Sequence, residues 1–268
     1  MGERGVRLDS LLAQRGLFPS RSKAAVAVMA GEVLVGAGAR RAEKPSELVD
    51  PSEPIDVRRG PAFVSRGGIK LANALAESAV AVAGRRALDV GASTGGFTDC
   101  LLQRGATSVI AVDVGYGLLD WRLRGDSRVS VLERTNARSL TPEMLPYRPD
   151  LASVDVSFIS LSLVLGAVLA CMADRHDVLA LVKPQFEVGR SRVGKGGVVR
   201  EPADRREALL SVGETALALG VTVLGYHSSG LPGPKGNRET FLHLAEPTRD
   251  GGAGGREDLL EMALAVEP

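Results

Sequence analysis

Cysteine and histidine are scarce in this chain. Its 268 residues include two cysteines, Cys100 and Cys171, and three histidines, His176, His227 and His243. The cysteines form no CxxC or CxxxC spacing and no two histidines stand four apart, which excludes a disulfide framework and a zinc site of ordinary ligand spacing. No metal is expected. Long apolar runs are missing too: the longest, residues 161–173, falls short of the ~18 residues that a membrane-spanning helix needs. The opening MGERGVRLDS lacks the apolar core of a secretory signal. The expectation is a cytoplasmic protein with no membrane partner. Nor does one sign of charge prevail, since 33 Lys and Arg against 32 Asp and Glu leave +1. The total therefore neither supports nor excludes a polyanionic partner. What is present is apolar material, 44% of residues, enough for a real core. The length bounds the chain to one or two domains.

Charge separates the N-terminal residues into blocks. Residues 1–44 carry eight bases (Arg4, Arg7, Arg15, Arg21, Lys23, Arg40, Arg41, Lys44) against four acids (Glu3, Asp9, Glu32, Glu43). Residues 45–57 carry four acids and no base. Leu8, Leu11 and Leu12 share a helical stripe, and Ser20 stands as N-cap of a second helix holding Ala24, Ala25, Val28 and Met29. Gly31 stops that helix, and Val33-Leu34-Val35 reads as a strand. The result is a small α+β module. Arg7, Arg15, Arg21 and Lys23 fall near helix ends, where they either track RNA phosphates or form an ordinary solvated face. Arg7-Leu8-Asp9, Arg15-Gly16-Leu17, Ser20-Arg21 and Gly31-Glu32-Val33-Leu34-Val35 resemble, in order, the S4 RNA-binding domain. Gly36-Ala37 stands where that family has Asn-Gly. The resemblance implies RNA contact by residues 1–58.

Residues 51–61, rich in Pro and charge, read as a linker. From Gly84 onward strands and helices alternate. Strands are expected at 87–90, 108–112, 129–132, 151–154 and 178–182, and helices at 95–104 and 160–172. This order calls for an α/β fold with a doubly wound, Rossmann-like parallel sheet. A glycine-rich stretch at 251–255 precedes a last amphipathic helix from Glu257.

The first of these strands runs into Asp89-Val90-Gly91-Ala92-Ser93-Thr94-Gly95-Gly96-Phe97. In a doubly wound fold this is where backbone approaches a ligand. The third position of a Gly-x-Gly-x-x-Gly fingerprint is Ser93, and the Gly-Lys-Ser/Thr of a Walker loop is absent, so pyrophosphate is disfavoured. Asp113 ends the next strand 22 positions after Gly91, where a carboxylate accepts hydrogen bonds from a ribose diol. A glycine loop without phosphate machinery, plus a diol-binding acid, suits S-adenosylmethionine. A structural turn with a capping Asp is the alternative. The candidate cofactor residues are Asp89, Gly91, Ala92, Ser93, Thr94, Gly95, Gly96, Phe97, Asp113 and Asp155. Asn136 is either an adenine-edge contact or a turn residue. Thr141, ahead of Pro142 and Glu143, reads as a helix N-cap.

Four ionisable residues occupy unusual places. Lys70 follows Ser65-Arg66-Gly67-Gly68-Ile69, Asp155 ends the fourth strand, Lys183 ends the buried fifth strand before Pro184, and Glu239 enters the last strand, 239–244. In an open α/β sheet, Asp155 and Lys183 would face the same crevice as the glycine loop. A partly buried lysine there can accept a proton, with carboxylates holding it in place. An ion-pair network around a loop is the plainer reading.

The series Val64-Ser65-Arg66-Gly67-Gly68-Ile69-Lys70-Leu71, Leu88 to Thr98, Asp113-Val114-Gly115-Tyr116-Gly117, Asp155-Val156-Ser157-Phe158-Ile159-Ser160, Leu181-Val182-Lys183-Pro184-Gln185-Phe186-Glu187 and Gly236-Asn237-Arg238-Glu239 resembles the TlyA (haemolysin A-like) branch of the FtsJ/RrmJ-type RNA 2′-O-methyltransferases. With the S4 match, the resemblance covers essentially the whole chain. It implies a Lys-Asp-Lys-Glu catalytic tetrad at Lys70, Asp155, Lys183 and Glu239. It further implies a linker at 59–64, containing Ala62-Phe63-Val64 and taking part in cofactor use, and a methyltransferase domain at 65–268. The implied activity is S-adenosylmethionine-dependent cytidine 2′-O-methylation of 16S and 23S rRNA in both ribosomal subunits, by a monomer. Arg66 joins the RNA-binding candidates. Lys183 would activate the 2′-hydroxyl and Asp155 orient it, with Lys70 and Glu239 steadying ribose and charge. Arg192, Lys195 and Arg200, in the stretch 188–199 and just beyond, either close over RNA or form a solvated loop. Two other classes compete: a non-catalytic S4-type rRNA-binding protein, and a membrane-lytic toxin, against which stands the lack of any segment able to insert.

Overall fold

The computed structural model describes residues 5–29, 31–57, 62–233 and 235–267. The chain divides into two units, Met1–Ala62 and Phe63–Pro268. In the first, β1 (Val6–Arg7) leads into α1 (Leu8–Gln14), then α2 (Arg21–Met29), β2 (Val33–Val35), β3 (Arg40–Arg41), β4 (Leu48–Val49) and β5 (Ile55–Val57). Strands β3, β2 and β5 form one antiparallel sheet and β1 pairs with β4. The expected leucine stripe is buried together with Ala24, Val28, Val33 and Val35. Ser20 Oγ accepts the Lys23 N–H at 3.3 Å, as an N-cap does. Gly31, at φ +73°, turns the chain out of α2 while Glu32 N–H bonds the Ala27 carbonyl. Because β5 is a strand of this sheet, residues 51–57 belong to the first unit and are not linker. Residues 58–61, which hold much of the expected join, lie outside the described residues.

The second unit contains α3 (Arg66–Ser78), β6 (Arg86–Val90), α4 (Gly96–Gln103), β7 (Ser108–Val112), α5 (Trp121–Arg124), β8 (Val129–Leu132), β9 (Leu151–Val154), α6 (Leu165–Cys171), β10 (Asp177–Val182), α7 (Pro184–Glu187), α8 (Pro202–Ala218), β11 (Thr222–Ser228), β12 (Thr240–Ala245) and α9 (Arg256–Val266). One seven-stranded sheet runs β11-β12-β10-β9-β6-β7-β8. The strands alternate strictly between two cores, as a pleat demands. Leu88, Val90, Ile110, Val112, Val178, Ala180 and Val182 face α6, α8 and α9, while Ala87, Val109, Ala111, Leu179 and Leu181 face α3 and α4.

Two expectations need correction. The sheet is mixed rather than all parallel: β12 runs antiparallel to both β10 and β11, because a loop rather than a crossover helix joins β11 to β12. Residues 160–172 are not one helix but a 3₁₀ turn, Leu161–Leu163, followed by α6. Glu187 draws that first turn away: its carboxylate accepts Ser160 Oγ–H at 2.6 Å and the Leu161 N–H at 2.9 Å. Likewise Pro142–Met144 is a single 3₁₀ turn, and Thr141 sits at its N-cap position without a capping bond.

Candidate active site

Strand β6 is the point where the chain's winding reverses. It continues outward to β7 and β8 on one side, and to β9 and β10 on the other. Ligands bind outside the carboxyl ends of strands at such a point. Gly91 leaves β6 and Asp155 leaves β9, side by side, and the Asp155 N–H bonds the Val90 carbonyl at 2.8 Å. Gly91 has φ +85°, and a Cβ on it would overlap the Asp155 carbonyl oxygen and stand 2.9 Å from the carbonyl carbon. Only glycine fits both conformation and space.

The loop beyond it is held from the next strand. Asp113 accepts the Ser93 N–H on Oδ2 and the Gly115 N–H on Oδ1, each at 2.7 Å. Both oxygens thus brace backbone, and each keeps a further acceptor direction for a ligand. Ser93 itself sits at φ +49°. Two cavities flank this loop and share Gly91, Ser93 and Asp155. One, of about 460 Å³, is lined by Asp113, Leu118, Asn136 and the segment from Asp155 to Ile159. The other, of about 410 Å³, is lined by Arg66, Lys70, Ala92, Thr94, Gly96 and Phe97. Gly95 forms the turn into α4. Asn136 lines the larger cavity, and its Oδ1 accepts the Arg138 N–H at 3.0 Å in a capped turn. The fit to an adenosyl amino acid is physical. The cradle is backed by glycine and lined by the carboxylates of Asp113 and Asp155.

Asp89 is a correction. It is fully buried and lines neither cavity; its carboxylate accepts Thr98 Oγ–H at 2.7 Å and Ser153 Oγ–H at 3.3 Å. It therefore braces α4 against the sheet from beneath. Burial, with a smaller contribution from the nearby Asp155 charge, pushes its pKa up to about 7 against the opposing Thr98 bond.

The tetrad comes together from four separate elements. Lys183 follows β10, is 8% exposed, and places Nζ 2.5 Å from Asp155 Oδ1 and 2.9 Å from Ser157 Oγ. Lys70, buried on α3, forms an ion pair with buried Glu239. Lys70 and Asp155 line the same cavity. The close approach of α3 to α4 makes this possible: a Cβ on Gly96 would stand 2.9 Å from the Gly68 nitrogen. Antiparallel β12 explains how Glu239, at a strand entrance, reaches the edge where Asp155 and Lys183 stand at strand exits.

The RNA-binding candidates do not form one cluster. Arg7 Nη2 and Arg21 Nη2 converge on the buried Asp9, at 2.7 and 3.4 Å, and the Arg7 bond holds the Asp9 carboxyl well below the usual range despite its burial. Arg15 turns to the Pro51 carbonyl and Lys23 is exposed on the first turn of α2. Arg66, in the second unit, bonds the Pro232 carbonyl at 2.9 Å.

The segment after Asp155 contributes more than sequence reasoning assigned it. Ser157 is a second acceptor for Lys183. Phe158 is 92% exposed at φ +65°, its ring 5.3 Å from that of Phe186. Val156 and Ile159 line the larger cavity, as do Val114, Leu118 and Thr135. The available signal was Ser-Phe directly behind a strand-terminal acid.

The comparisons agree with this geometry. The FtsJ-like methyltransferase family model matches residues 63–246 and the S4 domain model residues 6–55. The 16S/23S rRNA (cytidine-2′-O)-methyltransferase TlyA of Mycobacterium tuberculosis is 49% identical over 268 residues, 99% of each chain. Hemolysin A of Brachyspira hyodysenteriae is 37% identical over 242 residues, 89% of this chain and 99% of that one. A solved structure of a Streptococcus thermophilus protein provisionally named a hemolysin is 39% identical, with a TM-score of 0.72 over 98% of this chain and 96% of the other. The fold and site define a methyltransferase of the FtsJ-like class. Within that class the chain belongs to the S4-bearing TlyA family.

Proposed function

We propose that this protein transfers a methyl group from S-adenosylmethionine to cytidine ribose 2′-hydroxyls of 16S and 23S rRNA, acting in the cytoplasm as a monomer. The observation that carries the reading is the meeting of Asp155, Lys183, Lys70 and Glu239 beside the Gly91 loop. When bound, S-adenosylmethionine supplies an electrophilic methyl on a sulfonium, already a good leaving group. The protein therefore needs no metal for this step; it must orient two reactants and remove one proton.

Asp113 and Asn136 hold the adenosine end in the larger cavity, and Gly91, Ala92, Ser93, Thr94, Gly95, Gly96 and Phe97 hold the amino-acid end. Lys183, its own ammonium proton first passed to Asp155, contacts the ribose 2′-oxygen as a neutral amine and takes the hydroxyl proton, while Asp155 and Ser157 fix the direction of Nζ. Lys70, held by Glu239, steadies the ribose from the opposite wall. Phe158 offers an exposed ring at the mouth, where a nucleobase can stack. Arg7, Arg15, Arg21, Lys23 and Arg66 bind rRNA phosphates. Among the described residues no helix is long and apolar enough to cross a membrane.

The test is transfer of labelled methyl to small and large ribosomal subunits lacking the modification, followed by mapping of the product. Label on the 2′-oxygen of a cytidine in each rRNA is expected. Tight cofactor binding without transfer to either subunit would overturn the reading.

A further inference from the structure

Asn237 is 2% exposed and uses both ends of its amide. Oδ1 accepts the Val199 N–H at 2.9 Å and Nδ2 donates to the Gly197 carbonyl at 2.8 Å. Its backbone carbonyl accepts the Gly233 N–H at 2.8 Å. Gly233 in turn lies against the carboxylate of Glu239: a Cβ there would stand 2.9 Å from Glu239 Cδ. One residue thus fastens two segments, the loop that walls in Glu239 and the stretch ending at Val199.

That stretch is a basic strap. Its ends, Val188 and Val199, are buried in the core, while Arg190, Arg192 and Lys195 between them are exposed. The side chain of Lys235 crosses its tip, since a Cβ on Gly197 would meet Lys235 Nζ at 3.6 Å. Positive charge therefore gathers at the tip, and Asn237 grips immediately behind it. Separating strap from loop would leave a buried amide and two backbone groups unpaired, so the two segments are mechanically one piece.

We propose that Asn237 is a positioning residue that couples engagement of RNA phosphate by Lys195 and Lys235 to the setting of Glu239 against Lys70, and so to the rate of transfer. The proposal rests on the rRNA methyltransferase reading above. Bound phosphate fixes the strap tip, the amide passes that constraint to the Gly233 loop, and the loop holds the Glu239 carboxylate where Lys70 needs it.

A double-mutant cycle tests it, with single-turnover transfer to ribosomal subunits and RNA affinity measured for the wild type, Lys195→Ala, Asn237→Ser and the pair. Lys195→Ala is expected to weaken RNA binding about tenfold and to slow transfer at saturating RNA by a similar factor. Asn237→Ser slows transfer about tenfold or more, with S-adenosylmethionine affinity near wild type and a melting temperature lowered by the loss of the bonds to Gly197 and Val199. The double variant binds RNA as weakly as Lys195→Ala yet transfers no more slowly than Asn237→Ser. Rate losses that multiply, or an Asn237→Ser rate within about twofold of wild type, would overturn the coupling. A purely structural role would instead lower cofactor affinity along with the rate, and its losses would multiply with those of Lys195→Ala. Should Asn237→Ser not fold, Asn237→Asp, which keeps the acceptor for Val199, takes its place in the cycle. An inactive wild type would overturn the enzyme reading itself, a result distinct from multiplying losses in an active one.

Discussion

Gly91 and Asp155 touch backbone to backbone at the chain reversal, so closely that no side chain can stand between them. The contact joins the glycine loop to the residue that anchors Lys183. Gly91→Ala forces the two strand ends apart and places a Cβ residue in the left-handed region. It should lower stability by about 2 kcal/mol or more and weaken cofactor binding at least about tenfold. Thermal unfolding and titration calorimetry on the same samples check both.

Lys183 lies between Asp155 and Ser157 with little exposure. Lys183→Ala should abolish methyl transfer while leaving S-adenosylmethionine affinity within a few-fold, because the lysine meets the acceptor rather than the adenosyl group. Retained turnover in a single-turnover assay would remove Lys183 from the chemistry.

Phe158 combines a strained backbone with an almost naked ring. Were the residue there for stability, replacing it would cost stability. Phe158→Gly relieves the positive φ at the expense of little buried area, so the melting temperature should stay level or rise, by the equivalent of about 1 kcal/mol at most. Transfer to rRNA should nevertheless fall by about tenfold or more, since base stacking on an aromatic ring contributes about 1–3 kcal/mol. A drop in melting temperature with transfer unchanged would contradict both halves.

Across β11 and β12 the tilted rings of His227 and His243 lie 5.8 Å apart, and Asp177 Oδ1 lies 3.0 Å from His243 Nε2. Burial and then His243 lower the His227 pKa below 6.5, only partly opposed by Glu77 at 3.9 Å. The unfolded chain therefore takes up this proton at a higher pH than the folded one. The resulting stability is present above pH 6.5 and is lost as pH falls from there through the lower pKa of the folded state. Melting temperature should decline as pH falls below 6.5, and His227→Gln should flatten that decline. Identical profiles for the two proteins would refute the assignment.

Much of the second unit could be read from its strands, because Ala87–Val90, Ser108–Val112 and Val178–Val182 are short apolar runs ended by Gly, Asp or Lys. Four features were hidden for physical reasons. Asp89 shares its motif with cavity residues, but its side chain points to the α4 face like Ala87, and only the pleat decides that. Thr222–Ser228 gives no clean alternation because Gly225 interrupts its pairing with a register shift. The direction of β12 depends on the partner it finds across the sheet. The pairing of Lys70 with Glu239, 169 positions apart, has no local signature, and only the resemblance placed the two together.

The reversed course of β12 divides the proposed catalytic residues by origin. Lys70 stands on α3, and Asp155 and Lys183 follow the parallel strands β9 and β10. Glu239 ends the connection between β11 and β12, where Gly233 and Asn237 hold it. A change of length in that connection would therefore displace one carboxylate and leave Lys70, Asp155 and Lys183 where their own elements put them.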